Sequence, residues 1–226
     1  MKRLFLAIAT TAIFALCVSA QKIGTTAPTM SAKQPKVAFL PLMFQEGDRE
    51  SDNKTAIAAY ESSLFDAFSK LGMERLGPVV NFAWRELKGS IFSTTAFELP
   101  DPANLVKLGQ KVGADYVVVS RCKWNVRSVW VGVGPKTKAT AKVDIWIVDI
   151  SKSEFALKAD GIESDSTEKE PGWKTAVTII ILPISVVSGG PKTPHLVRSG
   201  QLSVAKGIKP WLEKMQTPSK IRIGGG

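Results

Sequence analysis

The run Lys36-Val-Ala-Phe-Leu-Pro-Leu-Met-Phe44 is almost continuously apolar, a pattern that predicts a strand buried on both faces. A polar loop, Gln45 to Asn53, follows it, with Ser51 or Asp52 placed to cap a helix. Ile57, Tyr60, Leu64, Phe68 and Leu71 then recur every three or four residues as one helix face. Gly72 stands where a left-handed residue closes such a helix. Met73 to Val80 predicts a second strand, interrupted by Gly77-Pro78, and Phe82, Trp84, Leu87 and Ile91 fit a short helix that Gly89 and Ser90 break. Asp101-Pro102 marks the start of a clearer helix, lined by Leu105, Leu108 and Val112 and stopped by Gly113.

A strand meander comes next. In Tyr116 to Val126, Cys122, Trp124 and Val126 alternate with Arg121, Lys123, Asn125 and Arg127. In Lys138 to Ile150, Ala141, Val143, Ile145 and Ile147 alternate with Lys138, Thr140, Lys142 and Asp144. Phe155, Leu157 and Ala159 give a third strand after the tight Ser151-Lys152-Ser153 connection. A polar stretch, Ser164 to Gly172, precedes the apolar run Ala176 to Val187. Pro194 to Gln216 predicts a last amphipathic helix on Leu196, Leu202, Ile208, Leu212 and Met215, bent at Gly207 and Pro210. The order is strand, helix, strand, helix, three-strand antiparallel meander, helix. One mixed sheet with helices packed on it satisfies that order, so the expected fold is a single α+β domain over residues 36–216. Residues 21–35 read as a flexible leader and 217–226 as a disordered tail. There is no internal repeat.

Three stretches carry a family resemblance: Val37-Ala-Phe-Leu-Pro-Leu42, Gly113-Ala-Asp-Tyr-Val-Val-Val119 and Ala141-Lys-Val-Asp-Ile-Trp-Ile-Val-Asp-Ile150. Together they resemble the curli secretion channel subunit family of the bacterial envelope. More distantly, the chain is similar to the N-terminal domain of the Tol-system protein TolB and to penicillin-binding-protein activator lipoproteins. The resemblance covers residues 36–163 and implies an α+β envelope protein that works through protein contacts. Its motifs mark strands and turns, so they bear on fold more than on function. Ser120 stands where the family pattern has glycine, and Ser151-Lys152-Ser153-Glu154 replaces its usual turn. The curli family is lipid-anchored and inserts two membrane-spanning hairpins. Here Leu16 precedes Cys17, which spoils an acylation signal, and Ser128 to Thr137 is too short for two spanning strands. Ser164 to His195 is long enough, but Ile179-Ile-Ile-Leu182 does not alternate and Pro183 interrupts a ladder.

The first twenty residues change the picture of where the domain works. Lys2 and Arg3 precede an apolar run, Leu4 to Val18, which ends at Val18-Ser19-Ala20 before Gln21. This is the pattern of a cleavable secretory signal over 1–20, and the run falls short of the roughly 20 apolar residues of a spanning helix. The expected location is the periplasm or the periphery of the outer membrane. Removing the segment leaves Cys122 as the sole cysteine, so no internal disulfide supports the mature chain.

The chain of 226 residues is 44% hydrophobic and 22% charged, which excludes wholesale disorder. Lysine and arginine outnumber acids 30 to 20, a formal charge of +10. Arg121, Lys123 and Arg127 share a face and neighbour Lys138 and Lys142 across the hairpin, with Trp130 and Trp146 close by. Such a basic face suits anionic lipid or wall polymer or remains a solvated outer face, and a secretory address argues against nucleic acid. His195 is the only histidine, and no metal set, cofactor motif or small-molecule site is evident. Val131-Gly-Val-Gly134 lacks the third glycine and the helix of a dinucleotide fingerprint. Asp144 and Asp149 fall on opposite strand faces, and the loop acids Asp48, Glu50 and Asp52 lack the distal glutamate of a calcium loop. Cys122 sits with Trp124 and reads as a buried, inert thiol.

The run Ala176 to Val187 is too short for a membrane helix and too β-branched for a comfortable one. Val177, Ile179, Ile180, Ile181, Leu182, Ile184 and Val186 therefore complete the core, form an interface for a protein partner or a second copy, or contact a membrane. The sequence reads as an exported, non-enzymatic envelope protein acting by protein or wall contacts in assembly or secretion. The alternatives are a curli-channel-like oligomer at the outer membrane and an envelope hydrolase whose site the motifs do not reveal.

Overall fold

The computed structural model describes residues 33–44, 53–77, 101–130, 132, 134–169, 180–183 and 190–216. The expected strand over 36–44 is two strands, β1 (Lys36–Phe39) and β2 (Met43–Phe44). Both pair parallel with β4 (Tyr116–Trp130). Phe39 lies opposite Val118 and Met43 opposite Arg121, so the chain takes one more step than its partner between these points. Pro41 stands in the gap: it is exposed and has no N–H to give to a ladder. Leu40 and Leu42 on either side stay buried, which is why the run looked continuous.

Helix α1 (Lys54–Ser69) is capped by Asn53, one residue beyond the expected cap, whose side chain accepts the Ala56 N–H at 3.0 Å. It buries Tyr60, Leu64 and Phe68, and Gly72 adopts φ +73° as its spacing required. β3 (Glu74–Arg75) pairs parallel with β1 and is shorter than expected, since Leu76 and Gly77 already leave the strand. The rest of that segment, and the helix expected over Phe82 to Ile91, lie outside the described residues. Helix α2 (Pro102–Val112) follows its local signals: Asp101 accepts the Ala103 N–H at 3.0 Å, and Gly113 ends the helix at φ +70°.

β4, β5 (Pro135–Asp149) and β6 (Glu154–Asp165) form the antiparallel meander. The sheet order is β3-β1-β4-β5-β6, with β2 also on β4, and the described strands form an open mixed sheet. β6 runs on through Ser164 and Asp165, the start of the polar stretch expected to follow the meander. It carries two extra residues relative to β5, one near Gly161, at φ +66°, and one near Ala156.

The helices divide between the two sheet faces. α1 and α3 (Thr193–Gln216) bury Tyr60, Phe68, Leu196, Ile208 and Trp211 against Val118, Trp124, Val143, Ile145 and Ile147. α2 buries Leu105, Val106 and Leu108 against Ala38, Val117, Val119, Trp146 and Val148. Each such side chain contributes about 1.5–3 kcal/mol when withdrawn from water, so these two clusters hold the helices to the sheet. α3 is continuous through Gly207 and Pro210. Gly207 admits the close approach of Ile145, whose Cδ1 would lie 3.0 Å from an added Cβ. Leu196, Leu202, Ile208 and Leu212 are buried as their spacing required, but Met215 is 40% exposed in the last turn. The two helices on this face are also tied by polar bonds. Gln201 donates to the Ser63 hydroxyl at 3.0 Å, and Asn53 donates to Thr193 at 3.1 Å.

Candidate functional site

The β4–β5 hairpin is longer than the sheet that holds it. Its ladder runs from Tyr116 opposite Asp149 to Trp130 opposite Pro135. β1 leaves β4 after Val118, β2 after Cys122, and β6 reaches along β5 only to Thr140. Ser166 adds a last support by bonding both main-chain groups of Ala139. Outward from Arg127 and Lys138, the two strands have only each other among the described residues. The apex contains Gly132 at φ +74° and Gly134 at φ +140°, conformations that side-chain-bearing residues avoid. Val131-Gly-Val-Gly134 therefore joins two strands and lacks the strand-to-helix geometry of a phosphate loop.

Strand parity puts Arg121, Lys123 and Arg127 on the face of Val117 and Val119, beyond the part that α2 covers. The register places Lys123 opposite Lys142 and Arg127 opposite Lys138, two cross-strand pairs of like charge. The face is less uniformly basic than the sequence suggested, because the outer part of β6 brings acids to it. Arg121 forms an ion pair with Asp144, which also accepts the Gly161 N–H, and its guanidinium lies 5.0 Å from the Trp146 ring centre. Lys138 pairs with Asp165 at 2.7 Å and Lys142 with Glu163 at 3.8 Å. Lys123 and Arg127 are exposed and form no ion pair among the described residues.

The two tryptophans associated with this face differ. Trp146 is 1% exposed, donates to Asp160 at 2.7 Å and belongs to the core. Trp130 is 73% exposed at the end of the hairpin, and the register puts it on the sheet face opposite Arg121, Lys123 and Arg127 rather than beside them. Lys136, exposed beside the apex, belongs to the same tip and adds a cation to those expected there. Its signal was the alternation that it shares with Lys138, Thr140 and Lys142.

The apolar run is described only at Ile180 to Pro183. Ile181 packs on the core shared by α1 and α3, whereas Ile180 is 59% and Leu182 37% exposed. Gln201, itself buried, accepts the Leu182 N–H at 3.0 Å and fixes the segment beside α3. Val177, Ile179, Ile184 and Val186 lie outside the described residues, as do Asp48, Glu50 and Asp52.

The remaining candidate groups have structural partners. His195, in the first turn of α3, places Nδ1 3.3 Å from the Ser166 hydroxyl, which also accepts the Ala139 N–H. Cys122 is buried at 1% exposure on the core face. Asp149 accepts bonds from Ser151 and Lys152 within the β5–β6 turn. Among the described residues, no cluster of three or more histidine, cysteine or acidic side chains stands together to hold a metal ion. No described helix is long and apolar enough to cross a membrane.

No protein-family model matches the chain, and no curated protein matches it in sequence. Among solved structures, the chain is similar to the lipoprotein GNA1162 from Neisseria meningitidis, with 16% identity and a TM-score of 0.39 over 61% of this chain and 88% of that one. It is similar to the hypothetical protein CT253 from Chlamydia trachomatis, with 12% identity and a TM-score of 0.42 over 80% and 98%. It is also similar to PelC from Paraburkholderia phytofirmans, described as a dodecamer, with 14% identity and a TM-score of 0.37 over 79% and 88%.

Proposed function

We propose that the protein is an exported, non-enzymatic envelope protein that attaches to an anionic lipid surface through the tip of its β4–β5 hairpin. The observation that carries this reading is the composition and exposure of that tip. Trp130 stands 73% exposed at the end of two strands that no other described strand accompanies. Between Arg121 and Val143 the chain holds six lysines and arginines and no acid, flanking the apolar segment Val129-Trp-Val-Gly-Val-Gly-Pro135. An exposed amphipathic indole at the end of a hairpin whose other face carries the cations fits the headgroup level of a bilayer. Each cation near an anionic surface contributes about 1 kcal/mol, and Lys123 and Arg127, which face Lys142 and Lys138 across the strands, gain there a counter-charge that the described residues do not give them. The secretory pattern of residues 1–20 supports export and argues against nucleic acid as the anion.

Sedimentation with vesicles tests the attachment. The protein should sediment with phosphatidylglycerol-containing vesicles, less so as salt rises, and remain in solution with pure phosphatidylcholine. Trp130→Ala should weaken binding by about tenfold with Tm unchanged, since the ring contacts solvent. Equal binding to both vesicle types, indifference to Trp130→Ala, or binding to isolated wall polymer alone would overturn the reading. The absence of catalysis is tested separately. His195→Ala should leave the protein's biological activity intact in a stably folded chain, whereas its loss would favour a hydrolase.

A second reading concerns Ile180 and Leu182, which stay exposed while Ile181 between them is drawn into the core. That alternation suits a contact with a protein partner or a second copy. Asp at both 180 and 182 should then keep Tm while abolishing assembly in ultracentrifugation. Retained assembly would exclude this contact.

A further inference from the structure

A cleft of about 240 Å³ opens between α1 and the carboxyl end of β1, on a different part of the molecule from the hairpin tip. Parallel strands place ligand crevices at their carboxyl ends, because the chain leaves the sheet there and the loops diverge. Its apolar walls are Phe39, Leu40, Leu64 and Phe65, and Glu61, Arg75 and Ser120 supply the polar groups.

These polar groups are unevenly employed. Glu61 accepts the Leu42 N–H at 3.2 Å. The Arg75 guanidinium lies 5.1 Å from the Phe65 ring centre and 5.9 Å from that of Phe39, but it forms no ion pair among the described residues. Two aromatic rings thus hold the guanidinium while its N–H donors stay free for another acceptor. Ser120 is 3% exposed and interacts with the fully buried Tyr60 hydroxyl.

We infer that this cleft binds a small amphipathic carboxylate, its anionic group on the Arg75 guanidinium and its apolar body against Phe39, Leu64 and Phe65. The carboxylate answers the planar fork of the arginine, which recognises two oxygens at once. Glu61 on the same wall disfavours a second negative charge, so a monoanion fits better than a phosphate or a dicarboxylate.

Nuclear magnetic resonance titration of the protein with 3-phenylpropanoate, and in parallel with neutral 3-phenylpropanol, tests this. The carboxylate should cause saturable shifts at the amides of Leu42, Leu64, Arg75 and Ser120, and should bind about tenfold more tightly than the alcohol. Arg75→Gln, at an exposed position, should erase that preference and leave the spectrum otherwise folded. Leu64→Trp should block binding by filling the cleft, and its own spectrum reports whether it folds. Shifts that do not saturate, shifts centred elsewhere, or an unchanged preference in Arg75→Gln would overturn the proposal.

Discussion

The indole N–H of Trp124 donates to the main-chain carbonyl of Leu196 across 3.1 Å, joining the middle of β4 to the first turn of α3. The ring is 4% exposed, lies edge-on to Tyr60 at 6.4 Å and meets Phe44 at 6.1 Å. One side chain thereby fixes both helices of that face to the strand that continues into the hairpin. Trp124→Phe should cost about 1–3 kcal/mol through lost packing and one hydrogen bond. Leu196 keeps a bond from the Ser199 hydroxyl, so the carbonyl is not orphaned. Chemical denaturation gives the magnitude, and hydrogen exchange should quicken first at the start of α3. Uniform exchange along α3 would show that the bond has no local role.

Gly109 lets α2 approach the sheet. A Cβ there would stand 2.4 Å and 2.6 Å from the Ile150 side chain and 3.0 Å from Val117. Gly109→Ala gains about 1 kcal/mol of helix propensity but should still destabilise by a net 1–3 kcal/mol or so. Combining it with Ile150→Ala should recover part of that loss. A variant more stable than the parent in thermal unfolding would show that α2 moves freely.

Acid sensitivity has one identifiable source in the turn after β5. Burial pushes the Asp149 carboxyl upward, but bonds from the Ser151 hydroxyl and N–H and from the Lys152 N–H, with the Lys152 charge, outweigh it and leave the group below its ordinary value. A carboxyl held low in the folded state stabilises at every pH above its unfolded value. That contribution declines below about pH 4, as pH falls through the folded value. Asp149→Asn should flatten the fall in stability below that pH, with a cost of about 1–2 kcal/mol at neutral pH. A parallel pH profile for parent and variant in urea titrations would remove Asp149 from the account.

Export predicts a defined N-terminus. Protein recovered from an envelope fraction should begin at Gln21. Edman sequencing that returns Met1, or mass spectrometry that finds a lipid on Cys17, would refute the cleavage.

What the sequence disclosed depended on how locally each feature is encoded. Asp101, Pro102 and Gly113 mark α2 because capping uses only neighbours in the chain. The alternation through Arg121 to Arg127 identifies β4 because a strand's period does not depend on its partner. The break at Pro41 was hidden because Leu40 and Leu42 remain buried on either side of it. The charge state of the basic face was illegible for a different reason. Asp165 and Glu163 reach Lys138 and Lys142 only through the register of β6 on β5, which bulges displace. Ser120 and Arg75 come from strands 45 residues apart, and nothing in either segment announces that they share a cleft with Glu61.

The bulges of β6 also bear on how one copy of the chain can meet another. Among the described strands β6 is an outer one of twelve residues, and a straight edge of that length would invite another chain to zip onto it. The extra residues near Gly161 and Ala156 interrupt its run of main-chain donors and acceptors, and the exposed Lys158, Asp160 and Glu163 add charge to it. A protein gathered on a two-dimensional surface meets its own copies far more often than in solution. Under the proposed attachment, the uneven margin of β6 would disfavour strand-to-strand pairing between copies gathered on a lipid surface.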